Sequence, residues 1–173
     1  MYHLRRRATL LLSALLLACT GLVASSTVAN AATAPSGTGY WDHTVVRVKA
    51  RYYNQVDFNH QIARVYQQPG QTASIASGKT ATRTIQVGGG MTRSGIAANL
   101  SISSATSVTV TVGCNSVIPK GNTYLAAYPV GTQIYYEVVE TWVSTPSNKR
   151  TEFSSGLLMA FNPTANQIYC HTY

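Results

Sequence analysis

Residues Gln133 to Val143 read QIYYEVVETWV. Ile134, Tyr136, Val138, Glu140 and Trp142 fall on one parity, and Tyr135, Glu137, Val139, Thr141 and Val143 on the other. A period of two over eleven residues describes a strand, because successive side chains leave an extended backbone on opposite sides. The residue types agree, since β-branched and aromatic side chains suit a pleated surface.

The same period recurs on both sides of this stretch. Thr44 to Tyr53 places Val46, Val48, Ala50 and Tyr52 opposite Arg47, Lys49 and Arg51. His60 to Gln67 is a shorter, weaker strand, followed by the turn signal Pro69-Gly70. Lys79 to Val87 sets Ala81, Arg83, Ile85 and Val87 against Thr80, Thr82, Thr84 and Gln86, and Gly88-Gly89-Gly90 breaks the pattern. Ile96, Ala98, Leu100 and Ile102 alternate with polar and small residues, as do Val108, Val110, Val112 and Cys114. Thr123 to Tyr128, Phe153 to Phe161 and Gln167 to Tyr173 complete the series. The nearest approach to a helical pattern, Gly95 to Leu100, reads better as alternation. The expectation is an all-β chain: an antiparallel β-sandwich or small barrel of about seven to nine strands.

The first 31 residues read differently. Arg5, Arg6 and Arg7 precede an apolar run from Ala8 to Ala24, and Ala29-Asn30-Ala31 has the small-x-small form of a processing site. This order predicts a cleaved signal peptide over 1–31, a flexible leader over 32–39 and one β-rich domain over 40–173. The style resembles bacterial, Gram-positive exports, and the localisation expected is secreted and extracellular. Leu16-Leu17-Ala18-Cys19 supplies the alternative, a lipid anchor at Cys19.

Beyond residue 31 there are ten basic and five acidic residues, so three of the eight net positive charges belong to the predicted signal. That weakens a nucleic-acid reading of the high pI. Two cysteines remain there, Cys114 and Cys170. An even pair in an oxidising compartment predicts one disulfide. No C-x-x-C or H-x-x-x-H spacing accompanies them, so neither a metal nor another cofactor is expected.

Catalytic signatures are scarce. There is no G-x-S-x-G elbow, phosphate loop or dinucleotide fingerprint. Asp42-His43 and Asp57-x-x-His60 could each orient an imidazole, and His171 stands near the C-terminus. Glu137 and Glu140 differ by an odd number, so on a strand they face opposite ways and make a poor acid–base pair. The expectation is a non-enzymatic protein.

Binding features are richer. Arg47, Lys49 and Arg51 would form a three-charge row about 13 Å long on one strand face, with Arg64 and Tyr53 as further candidates. Such a row suits an anionic cell-surface component or another secreted protein. Tyr52, Tyr53, Tyr66, Tyr124, Tyr128, Tyr135, Tyr136, Tyr169 and Tyr173 make a tyrosine-rich set, a composition suited to interfaces and sugar platforms, although Tyr136 and its neighbours read as core.

Gln71 to Val112 contrasts with these, holding 15 Ser and Thr among 42 residues and no aromatic. In that composition it resembles the Ser/Thr-rich stem of aerolysin-type pore-forming toxins. The resemblance covers about a quarter of the chain and implies a membrane-inserting hairpin made of Lys79–Val87 and Leu100–Val112. Arg83 departs from the pattern, because it sits on the apolar face. Three functions follow from the whole sequence. The first is a secreted β-domain acting through a protein–protein or cell-surface interface, as an adaptor subunit of an exported assembly or as an inhibitor. The second is a membrane-active aerolysin-like toxin, and the third a small secreted hydrolase.

Overall fold

A computed structural model describes Pro35 and residues 37–173. The predicted signal, the Cys19 lipidation box and most of the leader lie outside the described residues. The rest is all-β and antiparallel, with ten strands and one short helix. The strands are β1 (Gly39–Val56), β2 (Ala63–Tyr66), β3 (Thr72–Ile75), β4 (Lys79–Thr82), β5 (Thr84–Ile85), β6 (Ser107–Val110), β7 (Cys114–Val117), β8 (Tyr124–Ser144), β9 (Arg150–Ser154) and β10 (Leu158–Thr172). The helix α1 spans Arg93–Asn99.

The stretch QIYYEVVETWV lies inside β8, the 21-residue centre of the main sheet. β1 and then β2 run along one side of β8, pairing Gly39 with Ser144 at one end and Tyr66 with Tyr124 at the other. β9 and then β10 run along the other side, from Arg150 opposite Val143 to Thr172 opposite Leu125. The result is a long three-strand ladder whose outer strands are each interrupted once. The main sheet is open, with β1 at one edge and β5 beyond β10 at the other.

Both faces of β8 are apolar at some point along its length, and each is covered by a different piece of the chain. At the Tyr124 end, Leu125 and Ala127 pack with Ala73, Ile75 and Ile118, from and beside the small sheet β3–β7. Farther along, and on the opposite parity, Ile134, Tyr136 and Val138 pack with Ile96, Ala97 and Leu100 of the helical segment. The chain between β3 and β7, residues 76–113, therefore passes around the β10 edge like a strap. Ile85 pairs with Ala160 there, and Thr111 N–H donates to the Ala165 carbonyl in the irregular part of β10. The Cys114–Cys170 disulfide fixes the base of the strap to β10, with the two Cα atoms 6.4 Å apart.

The helix corrects the alternation read over Ile96 to Ile102. Thr92 caps it by accepting from Gly95 N–H, and Ile96, Ala97 and Leu100 are buried whereas Ala98 is exposed. That i, i+1, i+4 set is one face of a helix. The short run also satisfies a strand template, and burial against β8 decides between them.

A second correction concerns β1. Lys49 is the extra residue of a β-bulge, because Val48 pairs with Tyr136 and Ala50 with Tyr135. Val46 and Val48 therefore share a face with Val138 and Tyr136, whereas Ala50 and Tyr52 lie with Tyr135 on the other side. One inserted residue moves everything after it to the opposite face.

A candidate aromatic docking face

The bulge decides the fate of the predicted basic row. Arg47 makes a bidentate pair with Glu152, its nitrogens 2.8 and 2.6 Å from the two carboxylate oxygens. Lys49 Nζ lies 2.6 Å from Glu137. Arg51 is carried to the helix side, where Nη2 donates to the Leu100 carbonyl at 2.9 Å. No continuous three-charge face forms, since two of the cations are neutralised and the third holds a helix end. Tyr53 is exposed in the irregular stretch of β1 before Gln55, apart from the other candidates.

These ion pairs have a packing role. Val139, Thr141 and Val143 of β8 are 2–3% exposed. Arg47–Glu152 and Arg150–Asp42 join β1 to β9 across β8 and roof these residues. His43 adds its contact to Asp42 and a 3.4 Å approach to Thr141. Hydrogen bonding to His43, helped by the charge of Arg150, pulls the Asp42 carboxyl below its ordinary range against the opposing effect of burial. The hydrogen bonds from Lys49 to Glu137 and from Arg47 to Glu152 lower those two carboxyls likewise.

Arg64 stands elsewhere. At the Tyr124 end of the sheet, on the face opposite the small β3–β7 sheet, register brings three strands together. Tyr66, Tyr124 and Tyr173 form one row across β2, β8 and the end of β10. Arg64, Ala126 and His171 form the next, and Tyr128 and Tyr169 the next, where Phe58 folds in from the β1–β2 connection. The seven rings touch in a continuous chain. Phe58 meets Tyr128 and Tyr169 at 5.3 and 5.6 Å between centroids, Tyr169 stacks on His171, and His171 meets Tyr173 edge-on at 4.6 Å. Tyr173 stacks on Tyr124 at 5.1 Å, and Tyr124 contacts Tyr66.

The Arg64 guanidinium lies 5.0 Å from the Tyr124 ring centre and 5.7 Å from that of Tyr66, and it donates to Tyr66 Oη and Gln61 Oε1. Cation–π attraction of this kind is modest at an exposed site. Tyr128 donates to Tyr173 Oη at 3.1 Å, and that bond, with burial, pushes its hydroxyl up to about 12. Ala126 forms a fully buried floor, whereas Phe58 and Tyr66 are 58% and 64% exposed. Large aromatic surface left in water on one contiguous face marks an interaction surface.

The tyrosine set anticipated most of these rings, but not their convergence, nor the parts of Phe58 and His171. Parity carried the missing signal: Arg64 and Tyr66, Tyr124 and Tyr128, and Tyr169, His171 and Tyr173 are each spaced by two or four. Strand order was needed to lay the three sets side by side.

A cavity of about 820 Å³ opens beside this face, between the Val56–His60 connection and Thr82–Val87, and is also lined by Gln133, Met159 and Phe161. Asp57 and His60 stand at its rim with a 2.7 Å contact. Among the described residues no hydroxyl hydrogen-bonds to His60. Arg83, expected on the apolar face, is buried there and donates to Asn162 Oδ1 and the Ala105 carbonyl. Among the described residues no cluster of His, Cys, Asp and Glu could hold a metal ion, and no helix is long and apolar enough to cross a membrane.

Known proteins offer no parallel. Neither protein-family models, nor curated proteins, nor solved structures match this chain.

Proposed function

We propose that this chain is a secreted, non-enzymatic β-domain that docks on a cell surface through the aromatic face around Arg64. The observation that carries the reading is the contiguous set of seven rings, with Phe58 and Tyr66 mostly in water although they sit beside a well-packed sheet. Burying such rings contributes roughly 25 cal/mol per Å² of apolar area removed from water, so a site ready to do so favours association. Of the two Asp–His pairs, Asp57–His60 meets no hydroxyl among the described residues, and Asp42–His43 approaches only the hydroxyl of Thr141, a residue 3% exposed on the face crossed by the β1–β9 ion pairs. The aerolysin-like alternative has to release Arg83 and the buried helix residues Ile96 and Leu100 from the sheet before the strap could enter a bilayer.

The test is adhesion of the purified protein to isolated bacterial envelopes. Phe58→Ala and Tyr66→Ala should each weaken retention about tenfold, the size of a 1.4 kcal/mol anchor residue, with an unchanged circular dichroism spectrum. Retention unaffected by both substitutions removes this reading. Dye release from liposomes by the native protein would instead favour the membrane-active alternative.

A further inference from the structure

We infer that the aromatic face takes an anionic glycopolymer, a sugar or polyol chain bearing phosphate or carboxylate groups; this rests on the docking reading above and names its ligand class.

The cation at the centre of the face has no acidic partner among the described residues. Arg64 sits at its centre, His171 lies in the same row, and Lys120 is exposed in the loop that leads into Tyr124. Among the described residues, Asp42, Glu137 and Glu152 are paired on the far half of the sheet, on its other face. Glu140 also lies on the far half of β8, opposite Phe153. The nearest acid, Asp57, is held by His60 and by Asn59 N–H. The main-chain oxygen of Tyr173 is taken up by the N–H groups of Thr123 and Tyr124. Arg64 bonds only to neutral oxygens, those of Tyr66 and Gln61. An uncompensated guanidinium, with its planar fork of donors, matches phosphate or carboxylate.

The ring geometry narrows the partner. Tyr124 and Tyr173 lie within 20° of parallel, as do Tyr169 and His171, and both pairs already touch. No slot remains within either pair for a nucleic-acid base, which confines base stacking to the outer rings Phe58 and Tyr66. A quaternary ammonium group, the usual guest of an aromatic cage, would meet Arg64. A purely aliphatic protein patch would cover the rings and leave Arg64 and the hydroxyl tips without polar partners. What the face presents is aromatic rims with hydroxyl tips, a guanidinium and an imidazole. These suit a chain with apolar C–H surface, many hydroxyls and a repeating negative charge. Successive same-parity residues on a strand stand roughly 6.6 Å apart, so the three rows offer a repeated set of contacts to a repeating polymer.

The experiment measures binding of the full secreted chain to five probes: polyglycerol phosphate, polygalacturonate, dextran, a single-stranded oligonucleotide and anionic phospholipid vesicles. Expected is binding to polyglycerol phosphate, polygalacturonate or both, at least tenfold tighter than to dextran. Arg64→Gln should weaken it at least tenfold with unchanged melting temperature, and raising salt from 0.05 to 0.5 M, which shortens the screening length to about 4 Å, should weaken it as well. The first two probes separate a phosphate ligand from a carboxylate one. Equal binding to dextran, indifference to Arg64→Gln, or a preference for the oligonucleotide or the vesicles overturns the inference. If Phe58→Ala and Tyr66→Ala abolish envelope retention and neither anionic polymer binds, the ligand class is wrong and docking stands. If envelope retention ignores both substitutions, docking itself is wrong.

Discussion

Lys49 has an influence out of proportion to its own ion pair. As the inserted residue of a bulge it divides two neighbouring arginines between opposite faces and opposite tasks. Arg47 belongs to an exposed pair with Glu152, the kind that contributes little in water. Arg51 is half-buried and holds the Leu100 carbonyl at the C-terminal end of α1, where a cation also meets the negative end of the helix. Arg51→Met should therefore lower stability by about 1–2 kcal/mol, the usual cost of losing a charged hydrogen bond to a partly buried carbonyl. Arg47→Met, at an exposed pair, should lower stability clearly less than Arg51→Met. Urea denaturation of the two variants checks this, and equal effects would show that position on the bulge does not matter.

Among the elements, the strap has the fewest sheet bonds for its length. Between β4 and β6 it pairs with the main sheet through Thr84 and Ile85, with one further main-chain bond from Gln86 N–H to the Met159 carbonyl. Its hold on the protein comes from the buried face of α1, from Arg83, and from the disulfide at its base. Closing a loop with a sequence separation of 56 contributes about 4 kcal/mol in the chain-entropy model. A Cys114→Ser/Cys170→Ser double substitution should lose most of that. For a domain of this size it would appear as a fall in melting temperature on the order of 10 °C, and reduction of the native protein should reproduce it. A change of less than a degree or two would mean that sheet pairing and the β3–β7 core hold the strap unaided.

Across the whole molecule, charge and aromatic surface are segregated. The carboxylates that stitch β1 to β9 stand on one half of the sheet, and the ring-bearing face with Arg64 occupies the other half. The stitched half sets the acid response. Asp42, Glu137 and Glu152 are held below their ordinary values of 3.8, 4.5 and 4.5 by His43, Lys49 and Arg47 respectively. A carboxylate whose folded value is depressed contributes stability that is full above its unfolded value and vanishes as pH falls through the folded one. The contribution of these three carboxylates should thus be flat above pH 5 and decline below about 4.5. Glu152→Gln should flatten part of the decline in a melting-temperature profile against pH. An unchanged profile would place the acid sensitivity in other groups.

Period-two alternation with Gly and Pro punctuation was enough to read an all-β antiparallel chain, because the two-residue repeat of a strand is written in local order. The pairing of Cys114 with Cys170 was legible because only two cysteines lie beyond residue 31. Tertiary structure alone decided that Gly95 to Leu100 forms a helix, since a short apolar run fits both periods until a sheet covers one of its sides. It alone decided where β1 bulges, because bulges answer to the partner strand's register. It also decided that rings distant in sequence, from Phe58 to Tyr173, meet on one face. Parity assigns each residue a side of its own strand, but only strand order brings the sides of different strands together.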